Sequence, residues 1–217
     1  MLLAKERQLV VDYGKKLVNL GLTKGTGGNI SIFDRQQGLM AISPSGMDYF
    51  EVGPGDIAVI SLPDGRQVEG NYKPSSEYAM HRIFYDKRED INAVVHTHST
   101  YATTLATMGK GLPASNYLVA LAGPDIKCAP YRPFGTPELA EVAFEYMKDR
   151  YCVLLANHGL LAGSKDIANA FNIALIMEEC CQTYYLASLG GGANILSSAE
   201  MEEMMVRFKT YGQIKKK

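Results

Sequence analysis

The sequence predicts one α/β domain over residues 1–217, with helices packed on a mixed, largely antiparallel sheet. Three observations carry that class. Apolar residues recur at helical spacing near both ends of the chain; short apolar runs bounded by turn residues fill positions 29–70; and two later strand-like runs, 92–98 and 152–164, alternate with helical stretches. No internal repeat, low-complexity linker or composition break divides the chain.

In order, Leu2, Leu3, Leu9, Val10, Tyr13, Leu17, Val18 and Leu20 predict an opening helix that stops at Gly21. "ISIF" (30–33), "LMAIS" (39–43), "IAVIS" (57–61) and "RQVEG" (66–70) predict strands, and the Pro-Asp-Gly of "LPDG" turns the last two into a hairpin. "PSSEYAMHRIFYDKRED" (74–90) predicts a helix with Ser75 and Ser76 as caps and with Tyr78, Ile83 and Phe84 on one face. A strand, "NAVVHTH" (92–98), follows at once, then a helix over 101–108. Thr136 as cap and Pro137 in the first turn open a helix in "FGTPELAEVAFEYMKDR". "CVLLANHG" and "LLAGS" predict strand, turn and strand. A long helix from about 166 to 189 is expected next, capped by Ser164 and ended by Gly190 to Gly192, and a last helix spans 198–209.

The composition is 47% hydrophobic and 21% charged with a net charge of -1, which allows a substantial core but supplies no basic field for nucleic acid. The terminal "IKKK" reads as a small solvated cluster. Lys5, Glu6, Arg7 and Asp12 interrupt the apolar positions of the first helix, so it is neither a signal peptide nor a membrane span, and a cytoplasmic protein is expected. Cys128, Cys152, Cys180 and Cys181 form no C-x-x-C pair and are read as reduced core thiols.

The chemistry concentrates in few places. In a strand, residues two apart share a face, so His96 and His98 can converge on one ion while Thr97 faces away; the competing reading is two imidazoles bonded to backbone. His158 ends another apolar run beside a glycine, which adds a third imidazole of the kind zinc prefers. Glu77, one turn into a helix, is a candidate for the carboxylate that substrate displaces in such sites; His81, four residues on, offers a Glu-x-x-x-His pair on the helix, with a partly exposed surface histidine the favoured reading. "GTGGNIS" (25–31), "SPSG" (43–46) and "PSSE" (74–77) offer backbone N–H groups, hydroxyls and a helix start to an anion, although tight turns and a cap explain each one separately. The first lacks the dinucleotide-binding glycine spacing and leads into a strand.

Together "GLTKGTGGNIS", "ISPSG", "PSSEYAMH", "NAVVHTHS", "CAPYRPFGT", "NHGL" and the terminal "RFKTYG" resemble the class II aldolase family of zinc sugar-phosphate enzymes over essentially the whole chain, most closely its L-fuculose-1-phosphate aldolase branch. The resemblance implies a three-layer α/β/α fold and a homotetramer with active sites at subunit interfaces. It implies one zinc per subunit on His96, His98 and His158, with Glu77 as the fourth, displaceable ligand and then the catalytic base. It implies a phosphate cradle of Gly28, Asn29, Ser45, Gly46, Ser75 and Ser76 with Thr26 nearby, Ser45 standing where threonine is expected. Tyr117 matches a tyrosine that reaches a neighbour's site as proton donor, while Phe134, Phe208 and Tyr211 match residues shaping the aldehyde side, Tyr211 counting with the catalytic set. The implied reaction is reversible cleavage of L-fuculose 1-phosphate to dihydroxyacetone phosphate and L-lactaldehyde through an enediolate, a step of fucose degradation. Alternatives are a related deoxyketose 1-phosphate such as 5-deoxyribulose 1-phosphate, a family epimerase acting on L-ribulose 5-phosphate, and a non-catalytic metal-binding interaction module.

Overall fold

The computed structural model describes residues 1–211; Gly212 and the lysine cluster at 214–217 lie outside the described residues. Among these, eight strands and six α-helices form a three-layer arrangement around one sheet. The strands are β1 (Asn29–Asp34), β2 (Leu39–Ile42), β3 (Ala58–Ser61), β4 (Gln67–Glu69), β5 (Ala93–Thr97), β6 (Cys128–Ala129), β7 (Cys152–Leu155) and β8 (Gly159–Ser164). Their order is β4-β3-β2-β1-β5-β8-β7-β6, antiparallel throughout except for the parallel β6 and β7 pair.

Alternation along each strand builds a core on both faces, because successive side chains point to opposite sides. Ile30, Ala41, Val59, Val95, Leu154 and Leu160 face one way, toward α1 (Ala4–Asn19), α3 (Thr100–Thr107) and α5 (Ile167–Leu189). Met40, Ile42, Ile60, Val94, Val153 and Leu161 face the other way, toward α2 (Tyr78–Lys87) and α4 (Pro137–Met147). The last helix, α6 (Ser198–Thr210), packs near a 3-10 helix at Tyr117–Leu121. Buried Arg7 fastens α1 to the far edge of the sheet, donating to the carbonyls of Pro54 and Gly55 and pairing with Glu69 at 2.8 Å. All four cysteines are free thiols, as their spacing predicts.

Several helix starts follow the sequence. Thr136 accepts from the Leu139 N–H to cap α4, with Pro137 behind it, and Ser197 forms a capping box with Glu200 at the start of α6. Two starts do not. Ser164 is still in β8, paired with Ala93, so Asp166 caps α5 by accepting from the Asn169 N–H at 2.8 Å. Ser75 and Ser76 are not the N-cap of α2: the Ser75 N–H is held by the Ser43 carbonyl where Pro44 crosses Pro74, and Ser75 closes a turn ahead of the helix, its Oγ accepting from the Glu77 N–H at 3.3 Å and its carbonyl from the Tyr78 N–H at 3.1 Å. Glu77 therefore sits at the N-cap position instead of one turn inside. His81 is fully buried, not a surface residue, because it shares the inner stripe of α2 with Met80, Phe84 and Tyr85. β6 and the 3-10 helices were not evident from the sequence, being too short to show a period.

Candidate metal centre and substrate cavity

The register of three neighbouring strands assembles the site. β5 lies between β1 and β8, so His96 stands opposite Asn29 on one side and Leu161 on the other. Its side chain shares the α2 face with Val94, whereas Thr97 is turned to the opposite face, as the two-residue period requires. His98 follows β5, where α3 begins; Glu178 of α5 accepts the Tyr101 and Ala102 N–H groups at 2.8 and 2.7 Å and so anchors that corner. His158 sits in the tight turn between β7 and β8, behind Asn157 with φ of 55°.

These placements bring His96, His98 and His158 together. His96 Nε2 lies 2.9 Å from His98 Nε2 and 3.2 Å from His158 Nε2. The His96 Nδ1–H donates to the Leu160 carbonyl at 2.9 Å, which leaves its Nε2 as a bare lone pair aimed at the other rings. Glu77 closes the group: Oε2 is 3.4 Å from His96 Nε2 and Oε1 is 3.4 Å from His158 Nε2. Among the described residues Glu77 Oε1 is buried without a hydrogen-bond partner. Converging imidazole lone pairs beside an orphaned carboxylate oxygen are a donor set that a divalent cation satisfies and a single proton does not.

Electrostatics agree with ligand duty. Burial holds His96 well below the ordinary imidazole value, helped by His158 and His98; burial and then His158 push His98 down to about 4; burial also lowers His158, opposed by Glu77. The rings are neutral near pH 7. Fully buried His81 is likewise pushed down to about 3 by burial. A histidine whose folded value lies below its unfolded value near 6.5 takes up its proton only on unfolding, so its contribution is intact above that pH and lost as pH falls. For His81 alone the slope is about 1.4 kcal/mol per pH unit below roughly 6.5. We expect the melting temperature of the metal-free chain to drop steadily from pH 6.5 toward pH 4 in calorimetry; a flat profile would contradict buried neutral imidazoles.

The anion loops also meet beside Glu77. Ser43 joins them: its N–H donates to the Ile30 carbonyl at 3.0 Å, its carbonyl accepts from Ser75 at 2.9 Å, and its Oγ accepts from the Ile30 N–H at 3.1 Å. Buried Tyr49, its hydroxyl pushed up to about 12 by burial, donates to the Gly28 carbonyl at 3.1 Å. Gly28 has φ of 70°, and a Cβ there would stand 2.7 Å from the His96 carbonyl, so glycine is required for the loop to lie against β5. Thr26, Ser45, Gly46 and Ser76 are exposed around Gly28 and buried Ser75, while the Asn29 amide is turned inward to Glu77 Oε2 at 2.9 Å.

A cavity of about 310 Å³ opens on the imidazoles, lined by Glu77, His98, Tyr131, Arg132, Phe134, Asn157 and His158. Phe134 thus lines the same cavity as Glu77, His98 and His158. Tyr131 and Arg132 were missed, although both stand in the "CAPYRPFGT" stretch. Tyr117, Phe208 and Tyr211 do not line this cavity; they form their own group, with exposed Tyr117 stacked on half-buried Phe208, centroids 6.2 Å apart, and Phe208 edge-on to exposed Tyr211 at 5.9 Å.

Gly159 tests the packing beneath the site. A Cβ there would sit 2.2 Å from the Thr97 carbonyl oxygen and 3.0 Å from His98 Cδ2, so Gly159→Ala forces β8 away from β5. The expected cost is about 1–3 kcal/mol of stability, together with lower metal content by elemental analysis; unchanged metal binding would show that the corner tolerates a shift.

Comparison with known proteins agrees with this geometry. The family described as Class II Aldolase and Adducin N-terminal domain matches residues 8–185. The chain belongs to the class II aldolase family. It is 57% identical to a 5-deoxy-D-ribulose 1-phosphate aldolase of Bacillus thuringiensis serovar kurstaki, over 98% of this chain and 100% of that one. It is 36% identical to an L-fuculose phosphate aldolase of Escherichia coli, over 94% of each. A solved L-fuculose 1-phosphate aldolase superposes with a TM-score of 0.92 at 50% identity, over 94% of this chain and 96% of that one. The protein is therefore a metal-dependent aldolase, a carbon–carbon lyase with the mixed α/β fold of its family. Among the described residues no helix is long and apolar enough to cross a membrane.

Proposed function

We propose that the whole chain acts as one catalytic domain that cleaves a terminal-deoxy ketose 1-phosphate between C3 and C4, with 5-deoxyribulose 1-phosphate as the first candidate. The products are dihydroxyacetone phosphate and acetaldehyde. The carrying observation is Glu77, with one oxygen held by Asn29 and the other unpartnered at a cavity whose outer wall is Tyr131 and Phe134, apolar rings that suit a methyl-ended aldehyde. The whole-length relative at 57% identity favours the five-carbon sugar. L-Fuculose 1-phosphate, giving L-lactaldehyde, is the second reading, favoured by the 50% identical solved structure.

His96, His98, His158 and Glu77 would hold zinc, which their nitrogen-rich donor set suits. When bound, the cation supplies Lewis-acid polarisation of the sugar's carbonyl and neighbouring hydroxyl. Gly28, Ser45, Gly46, Ser75 and Ser76, with Thr26, seat the phosphate through N–H and hydroxyl groups, and Asn29 orients the base. Glu77, moved aside by substrate, carries a proton on Oε1; as the C3–C4 bond breaks and its electron pair stays on C3, that proton is delivered to C3. In condensation Glu77 removes it again. In condensation the Tyr117 hydroxyl of a neighbouring copy donates its proton to the aldehyde oxygen, which becomes the C4 hydroxyl, as Glu77 takes the C3 proton; in cleavage the deprotonated Tyr117 oxygen takes that proton back, and exchange with solvent returns a proton from Tyr117 to Glu77. Phe208 and Tyr211 close the aldehyde side. Exposed Tyr117 and Tyr211, flanking Phe208 and absent from their own chain's cavity, support such sharing, hence a homotetramer. Four free thiols fit a cytoplasmic enzyme.

The test is dihydroxyacetone phosphate release, measured by a coupled assay across 5-deoxyribulose 1-phosphate, L-fuculose 1-phosphate and L-ribulose 5-phosphate, with metal content and solution mass from the same preparation. Highest kcat/KM for 5-deoxyribulose 1-phosphate is expected. Epimerisation of the 5-phosphate without carbon–carbon cleavage of either 1-phosphate would reject the proposal.

A further inference from the structure

Behind the working face of Glu77 a row of buried polar groups runs into the seam between β1 and α2. Glu77 Oε2 accepts from Asn29 Nδ2 at 2.9 Å; Asn29 Oδ1 meets His81 Nε2; His81 Nδ1 is 2.7 Å from Ser31 Oγ; and Ser31 Oγ meets the Tyr85 hydroxyl. All five residues are buried. The periods of the two elements explain the alignment, since Asn29 and Ser31 are two apart on one face of a strand while His81 and Tyr85 are one turn apart on a helix.

The donor direction is forced from one end. A carboxylate only accepts, so Asn29 must present its NH₂ to Glu77 and its oxygen to His81. His81 therefore carries its proton on Nε2. Its bare Nδ1 accepts from the Ser31 hydroxyl, whose oxygen accepts from Tyr85. Every proton in the row points toward Glu77. Burial keeps His81 neutral, pushed down to about 3, and raises the Tyr85 hydroxyl far above its ordinary value, so the row stays fixed at working pH.

We propose that His81 is a positioning residue for the acid–base carboxylate: its Nε2–H locks the Asn29 amide in the one orientation that ties down Glu77 Oε2 and leaves Oε1 free to meet substrate. Without that lock the amide can flip and turn an oxygen against the carboxylate. The inference rests on the reading of Glu77 as proton carrier and assigns a role to the one histidine outside the metal cluster.

The experiment compares His81→Leu and His81→Gln as metal-loaded enzymes, and records imidazole ¹⁵N NMR of the metal-free unmodified chain. His81→Leu should lower kcat about 10- to 100-fold with KM and metal content close to those of the unmodified enzyme. His81→Gln, which restores an N–H for Asn29, should recover most of the loss. The NMR spectrum should show His81 protonated on Nε2 and bare on Nδ1 from neutral pH to about pH 5. Unchanged kcat in His81→Leu, a loss confined to KM or to melting temperature, or an Nδ1–H tautomer would overturn the proposal. If His81→Leu does not fold, His81→Gln and the tautomer decide. Near-normal turnover of Glu77→Gln would instead sink the reading of Glu77, an outcome separate from the His81 tautomer.

Discussion

Glu77→Gln is expected to lower the turnover of ketose 1-phosphate cleavage by about 10³-fold while the protein keeps its fold. The replacement is nearly isosteric, and its side-chain carbonyl can still accept the Asn29 N–H that now reaches Oε2. What it loses is the ability to carry a proton on the oxygen that has no partner. Steady-state kinetics beside circular dichroism separates the two effects. A variant turning over at close to the normal rate would remove Glu77 from the acid–base role, whatever its part in holding metal.

Removing the metal is expected to have a comparably large effect. Chelation should abolish dihydroxyacetone phosphate release and leave the far-ultraviolet circular dichroism largely unchanged, and stoichiometric zinc should restore activity. The reason lies in how the core is divided. Both apolar layers are complete without the imidazoles, since Val94, Val153 and Leu161 on one face and Val95, Leu154 and Leu160 on the other pack against helices and not around an ion. His158→Ala should abolish activity in the same way and lower the zinc bound per chain, measured by elemental analysis. Cooperative unfolding on chelation would show that the cation holds the chain together and would count against a catalytic site.

Much of this arrangement could be read in the sequence because the signals were local. The His96–His98 pair needed only the two-residue period of a strand, and the start of α4 only Thr136 followed by Pro137. His158 could be linked to them because it too ends an apolar run. The failures were of another kind. His81 reads as a surface residue because a ten-residue helix leaves open which stripe meets the sheet, and the stripe with Met80, Phe84 and Tyr85 is settled only once β1 is in place. The bond from Asn29 to Glu77 joins positions 48 apart, beyond any periodic signal. Ser75 looked like a cap until its backbone was committed to Ser43, a pairing the sequence does not announce. Tyr131 and Arg132 lie within three residues of Phe134, already singled out, but in a stretch without periodic structure, where the sequence carries no sign of which side chains face the cavity.

The sheet ends in very short strands, three residues in β4 at one margin and two in β6 at the other. Such stubs leave little open main chain for a second molecule to extend the ladder, and amyloid-like stacking has almost no template from which to grow. Any contact between copies of this chain would accordingly be a matter of side chains meeting side chains across helices and loops, not of one ladder lengthening into the next.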